Sequence, residues 1–156
     1  MKSAFLVIEP GLLTTIQDKG RFGFRSYGMP TSGPLDLLAY HAANALVGNP
    51  DNAAALEITV AGPTLLAKSE VVVALCGGQT TVKLNGNPMP MWEAVVLQPG
   101  DVIEIGQVVN GARSYLAVSG GFDVPLVMGS RSTYLRAHLG GLNGRALLKG
   151  DLLITG

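Results

Sequence analysis

A mainly β fold, a barrel of mostly antiparallel strands carrying one main helix, is what this sequence predicts, and three observations predict it. Short apolar runs are punctuated throughout by glycine, proline and asparagine, the spacing of an all-β sandwich or barrel. Two of the interruptions, Asn85-Gly86 and Gln98-Pro99-Gly100-Asp101, have the chemistry of tight turns. One segment alone repeats its apolar residues at three and four, as a helix does.

Taken in order, Phe5-Leu6-Val7-Ile8 reads as a strand directly behind Met1-Lys2-Ser3-Ala4. That stretch is too short for the apolar part of a signal peptide. No run approaches the roughly eighteen apolar residues of a membrane helix, so a cytoplasmic protein with no membrane partner is expected. From Pro34 to Val47, the residues Leu35, Leu38, Ala42, Ala45 and Leu46 mark the helix. Ser32 or Gly33 is its expected cap, Pro34 suits the first turn, Asp36 favours the positive end, and Gly48-Asn49-Pro50 stops it. Leu56, Ile58 and Val60 alternate with Glu57 and Thr59, as in a strand with one wet face. Val71 to Leu75 has no polar alternate and belongs at the centre of the core. Thr81 to Leu84 leads into the Asn85-Gly86 hairpin turn. Ala94 to Leu97 and Val102 to Ile105 flank the Pro-Gly turn and read as a second hairpin. Ser114 to Val118 and Leu152 to Ile154 complete the strands.

The chain has 156 residues, enough for one compact domain over 1–156. Apolar residues make up 47% and charged residues 14%, against about 25% charged in an ordinary soluble domain. Such a chain needs a strand-rich core, a surface covered by another domain or subunit, or both. A formal charge of zero and a pI near 6.7 supply no field to attract a polyanion, which excludes nucleic acid as a partner. The single cysteine, Cys76, has no disulfide partner and reads as a buried inert thiol.

In so weakly charged a chain, the places where charge gathers are informative. Gln17-Asp18-Lys19-Gly20-Arg21-Phe22-Gly23-Phe24-Arg25 is the densest. Its glycines permit sharp turns, and Asp18, Arg21 and Arg25 can build an ion-pair lattice or face an anionic ligand. The same spacing suits a structural loop in which Asp18 pins Arg21. Gly129-Ser130-Arg131-Ser132-Thr133 sets one cation among three hydroxyls, able to hold a carboxylate or phosphate or to be a plain surface turn. Gly140-Gly141-Leu142-Asn143-Gly144-Arg145 has similar ingredients for an anion-accepting loop. It lacks the flanking strand and helix of a dinucleotide fingerprint and the Gly-Lys-Ser/Thr ending of a phosphate loop, so no ATP site is recognised in the chain. His41 and His138 have no second ligand at a metal-binding spacing, and no metal site is expected. Ser119-Gly120-Gly121 lacks a nucleophile elbow and a histidine partner, while Trp92 and Tyr115 read as core or rim aromatics.

Pro10 to Gly23, with Thr14-Thr15-Ile16-Gln17-Asp18-Lys19-Gly20-Arg21-Phe22-Gly23 at its heart, resembles the opening signature of the KipA proteins. These form the C-subunit family of 5-oxoprolinase, also called allophanate hydrolase subunit 2 or the biotin-dependent carboxyltransferase family. Met29-Pro30-Thr31-Ser32-Gly33-Pro34-Leu35-Asp36 is similar to its next block, followed by Ala43 to Asn49, Ala55 to Thr59 and Gly62-Pro63. Ala112 to Gly121, Gly129 to Thr133, Gly140-Gly141, Gly144-Arg145 and Gly150-Asp151 continue the match in order.

The resemblance implies a closed cyclophilin-like β-barrel, similar to the amino-terminal half of a two-barrel family member. It implies the C subunit of a 5-oxoprolinase that opens 5-oxoproline to L-glutamate, with ATP used by the assembled complex. The implied partners are the A subunit plus a KipI-like B subunit, so the isolated half is expected to be inactive. The chain shows no biotin-carboxylase segment and no biotinyl-lysine motif, which favours that reading over a carboxyltransferase of urea amidolyase type, where biotin would be the cofactor. A non-catalytic antagonist of a KipI-like inhibitor is a third reading. Both reactions polarise a resonance-stabilised amide or ureide, whose developing oxyanion needs donors already in place. Within the matched motifs, Arg21, Arg131 and the glycine-loop amides are the expected donors, with Asp18 orienting Arg21. Gln17, Gly20, Ser130, Ser132 and Thr133 are the expected substrate-binding residues, and the two arginines are expected to face one cleft.

Overall fold

A computed structural model describes residues 1–156. The elements follow in the order β1 (Lys2–Glu9), β2 (Leu13–Gln17), α1 (Leu37–Leu46), β3 (Ala55–Thr59), β4 (Thr64–Ala67), β5 (Val71–Leu84), β6 (Asn87–Pro88), β7 (Val95–Leu97), β8 (Val102–Val118) and β9 (Leu152–Thr155). All pair antiparallel in one sheet along the path β2-β3-β8-β4-β1-β9, and β5 lies against β8 while carrying β6 and β7. The sheet curls into a half-barrel, as the mainly β reading requires. Its end strands β2 and β9 do not pair with each other. The irregular chain after β8 fills the gap: Thr133 and Leu147 donate their amides to the Ile16 and Thr14 carbonyls of β2, each at 2.9 Å, and Phe122 bridges to Thr155 of β9.

Two apolar clusters lie on opposite faces of this sheet. Phe5, Ile16, Leu56, Ile58, Val73, Leu75, Leu97, Leu116 and Phe122 fill the inside of the curl. On the outer face, Ala55, Ala74, Cys76, Tyr115 and Ala117 receive Ala39, Tyr40 and Ala43 of α1. Alanine on both surfaces lets the helix backbone approach the sheet closely. Val71 to Leu75 shows no polar alternate for this reason: Val73 and Leu75 point inward while Ala74 lies under the helix. Cys76 is fully buried there, and burial pushes its thiol up to about 11, consistent with the inert reading.

Several local expectations are corrected. The helix begins at Leu37, not Pro34, because the Asp36 side chain takes the cap and accepts from the Ala39 amide at 3.1 Å. Leu35 and Leu38, read as part of its core stripe, are 72% and 78% exposed. The strand over Glu57 has no wet face, since the segment entering the helix lies on it and Glu57 is 9% exposed. Val71 to Leu75 and Thr81 to Leu84 are one strand, as are Val102 to Ile105 and Ser114 to Val118, because bulges near Gly77 and Thr80 bend the ribbon without ending it. The Pro-Gly turn forms, with Asp101 donating its amide to the Gln98 carbonyl at 3.0 Å, yet it joins no hairpin. Its arms diverge, β7 pairing with Val71 to Val73 of β5 and the start of β8 pairing with β4. The Asn85-Gly86 turn is a hairpin as expected, with φ of 52° and 83°.

Candidate functional site

Beyond β2 the chain turns through Asp18, Gly20 and Arg21, and these residues lie against the loops that close the half-barrel. Asp18 is 6% exposed and uses both carboxylate oxygens. Its Oδ1 accepts from Ser130 Oγ at 2.6 Å, Ser132 Oγ at 2.8 Å and the Gly20 amide at 3.0 Å, and its Oδ2 accepts from the Arg131 amide at 2.7 Å. The Asp18 amide donates to Ser132 Oγ at 3.0 Å. Gln17 donates to the Thr133 carbonyl at 3.3 Å, and Thr133 Oγ1 donates to the Ile16 carbonyl at 2.9 Å. Ser130, Ser132, Thr133, Gln17, Gly20 and Asp18 are thus brought together as the sequence suggested, though their polar atoms satisfy one another.

Arg21 is fully buried. Its guanidinium donates to backbone carbonyls of the facing loop: Nε to Val127 at 2.7 Å, and Nη2 to Ser132 at 3.0 Å and Ser130 at 3.3 Å. Nη1 has no protein partner. Burial lowers its affinity for the proton and the Asp18 charge opposes that effect. The expected Asp18–Arg21 pinning is corrected here. No ion pair joins them; the carboxylate holds Ser130, Ser132 and the Arg131 amide, while the guanidinium holds carbonyls of the same loop. Arg131 points elsewhere, with Nε on the Val124 carbonyl at 3.0 Å and Nη2 3.6 Å from Asp123. Its side chain lines a depression of about 170 Å³ beside Gly120 and Gly121. The two arginines do not share an open cleft, because Arg21 is enclosed.

Gly140 to Gly144 rests on this hub. A Cβ at Gly140 would strike the Ser132 carbonyl and stand 2.9 Å from Arg21 Nη2, and one at Gly141 would strike Thr133 Oγ1. Glycine is required at both by contact as well as by φ of 71° and 54°. His138, Asn143 and Gly144 are also left-handed, at 54°, 56° and 69°. Turns of this kind can leave individual backbone amides free to receive an anion. The loop lines a depression of about 390 Å³, and the Gly140 and Asn143 amides reach no protein acceptor. Arg145, counted from sequence among anion-accepting groups, is already engaged. Its fork meets Asp151 at 2.8 and 2.9 Å. Burial pushes Asp151 up, but the Arg145 fork and the Leu148 amide together hold it below the usual carboxylate range.

A second buried network escaped the sequence reading. Glu57 Oε2 accepts from Tyr115 Oη at 2.7 Å and from the Leu35 amide at 3.0 Å, and Tyr115 Oη accepts from the Asp36 amide at 2.9 Å. Burial and the bond to Glu57 raise the tyrosine's affinity for its proton. The register Glu57↔Tyr115 between β3 and β8 brings these residues side by side, a long-range pairing that alternation within one strand does not show.

The fold and hub define an antiparallel β domain whose free donors are loop amides and whose charged groups position those loops. Residues 27–156 match the family of the carboxyltransferase domain, subdomain A and B, and the chain belongs to that family. It is similar to the C subunit of Escherichia coli 5-oxoprolinase, 43% identical over 96% of this chain and 48% of that protein. It is likewise similar to the urea amidolyase of Lachancea kluyveri, 43% identical over 96% of this chain and 8% of that protein. The crystal structure of Kluyveromyces lactis urea carboxylase superposes with a TM-score of 0.97 at 43% identity, over 99% of this chain and 14% of that one. The chain therefore spans about half of the 5-oxoprolinase relative and a small part of the urea enzymes. No helix is long and apolar enough to cross a membrane.

Proposed function

We propose that this chain forms part of the C subunit of a multi-subunit 5-oxoprolinase, where it contributes to the ATP-dependent opening of 5-oxoproline to L-glutamate. The observation that carries this reading is the left-handed Gly140–Gly144 loop, with unpartnered amides at Gly140 and Asn143 above the buried Asp18–Arg21 hub. Water adds to the lactam carbonyl, the C–N bond breaks, and the nitrogen leaves as the amine of glutamate. While water adds, negative charge grows on the carbonyl oxygen, and donors fixed beforehand stabilise it without reorganising. Asp18 and Arg21 act as positioning residues, and Gln17, Gly20, Ser130, Ser132 and Thr133 complete the support. Arg131, already engaged with Asp123 and the Val124 carbonyl, borders a separate depression. ATP enters through the assembly, with the A subunit plus a KipI-like B subunit as partners, in the cytoplasm.

A second reading rests on equal similarity to urea amidolyase: the same donors would polarise urea as it accepts a carboxyl group from carboxybiotin. The test joins the full-length protein holding this domain to the A and B subunits of the assembly. It measures glutamate released from 5-oxoproline with and without ATP. Release only from the complete, ATP-supplied assembly supports the first reading. Biotin-dependent urea carboxylation without 5-oxoproline turnover supports the second. Gly140→Ala, which displaces the loop, is expected to lower kcat about 100-fold; unchanged turnover would remove the loop from the site.

A further inference from the structure

The segment that carries Arg21 also borders a separate depression of about 360 Å³, between the Thr31–Pro34 loop and the start of α1. Lys19, Thr31, Ser32, His41 and Asp51 line it. None of these five side chains enters an ion pair or hydrogen bond with the rest of the protein. Phe22 and Leu37, 59% and 54% exposed, form apolar walls. Five polar side chains without protein partners, Lys19 and Asp51 exposed and the other three half-buried, leave their hydrogen-bonding groups free for a small polar ligand.

Its rim is held rigidly from behind. The Gly33 amide donates to Gln17 Oε1 at 3.1 Å, the Leu35 amide to Glu57 and the Asp36 amide to Tyr115. All three acceptors are buried. Gly33 packs on the Lys19 carbonyl so closely that a Cβ would stand 3.1 Å from it. Ser32 is held at φ 56°, a left-handed conformation that costs a non-glycine residue about 1 kcal/mol. Such strain persists where the surroundings impose it, and it clusters at ligand sites.

The polar groups divide by sign. Lys19, Thr31 and Ser32 line this depression and not the adjoining one along α1, and they offer a cation and two hydroxyl donors for a carboxylate. His41 and Asp51 also line the adjoining depression along α1, with Asn44 and Asn49, which places them at the other end. Asp51 accepts from N–H groups. We propose that this depression binds a small molecule carrying a carboxylate at one end and an N–H donor at the other, a chemistry shared by a lactam acid and by the amino acid formed on opening it. The inference takes its probes from the function proposed above, and it concerns a different depression from the Gly140–Gly144 loop.

The test titrates the isotopically labelled chain with 5-oxoproline, L-glutamate, 2-pyrrolidinone, which lacks the carboxylate, and glutarate, which lacks the amine, following amide shifts by NMR. At least one bipolar probe is expected to shift Lys19, Ser32, His41 and Asp51 and to bind about tenfold more tightly than its truncated counterpart. Preference for 5-oxoproline identifies a substrate pocket, and preference for glutamate a product pocket. Lys19→Ala is expected to weaken the bipolar probe about tenfold while leaving 2-pyrrolidinone unchanged, and Asp51→Asn to weaken it while leaving glutarate unchanged. Equal affinity for all four probes, no binding by about 10 mM, or shifts confined to residues 138–144 overturns the proposal. Binding here without glutamate release from the full assembly would leave this site standing and remove the reaction; turnover without these shifts would do the reverse.

Discussion

Asp18 and Lys19 are chain neighbours with opposite surroundings. Asp18 sits in a closed hub where nearly every polar atom finds a partner, and its carboxylate alone accepts four hydrogen bonds. Lys19 opens onto a depression whose polar side chains have no protein partners. The hub holds the loops that close the half-barrel, whereas the depression leaves its donors and acceptors without partners in this chain. A dense run of charge in a sequence therefore marks a place where charge matters, without saying whether it builds the molecule or meets a ligand.

Substitutions across this divide should separate the two roles. Asp18→Asn removes the buried negative charge and turns one of its two accepting oxygens into a donor, so either the Ser130 and Ser132 hydroxyls or the Arg131 amide lose their acceptor. Unfolding in urea should show a loss of about 3 kcal/mol. Tyr115→Phe removes the hydroxyl that joins Glu57 to the Asp36 amide. It should cost about 1–3 kcal/mol and loosen the Thr31–Asp36 rim while the hub stays intact; equal loosening of both would merge the two regions into one unit. Asp151→Asn breaks a partly buried fork with Arg145 and should cost about 1 kcal/mol at neutral pH. Because the folded carboxyl group titrates below its unfolded value, its contribution is present above about pH 4 and is lost as the pH falls through the folded value. The gap between wild type and Asp151→Asn should therefore close in acid. Lys19→Ala should change stability by less than about 0.5 kcal/mol, and a larger loss would show that Lys19 supports the fold as Asp18 does.

Local turn chemistry was legible in the sequence, since Asn85-Gly86 supplies two positive φ angles with little help from the rest of the chain. The overall β class followed from the spacing of such interruptions. The helix start was misplaced because Ser32, Gly33 and Pro34 look like a cap and first turn, while Asp36 is the residue that reaches the Ala39 amide. Glu57 looked solvated because alternation within a strand is blind to a chain segment laid over it. The grouping of Asp18 with Ser130 and Ser132, more than 110 residues away, came from the order of matched motifs. Its partners were misassigned because both charges bind the loop between Val127 and Ser132 in preference to each other.

Amide hydrogen exchange on wild type and Asp18→Asn tests most directly whether the hub holds the loops that carry the free donors. Arg131, Thr133 and Gly141 should lose protection by about tenfold or more relative to Leu75 and Leu116 in the sheet. Uniform loss across sheet and loops, or unchanged protection at those three amides, would contradict it.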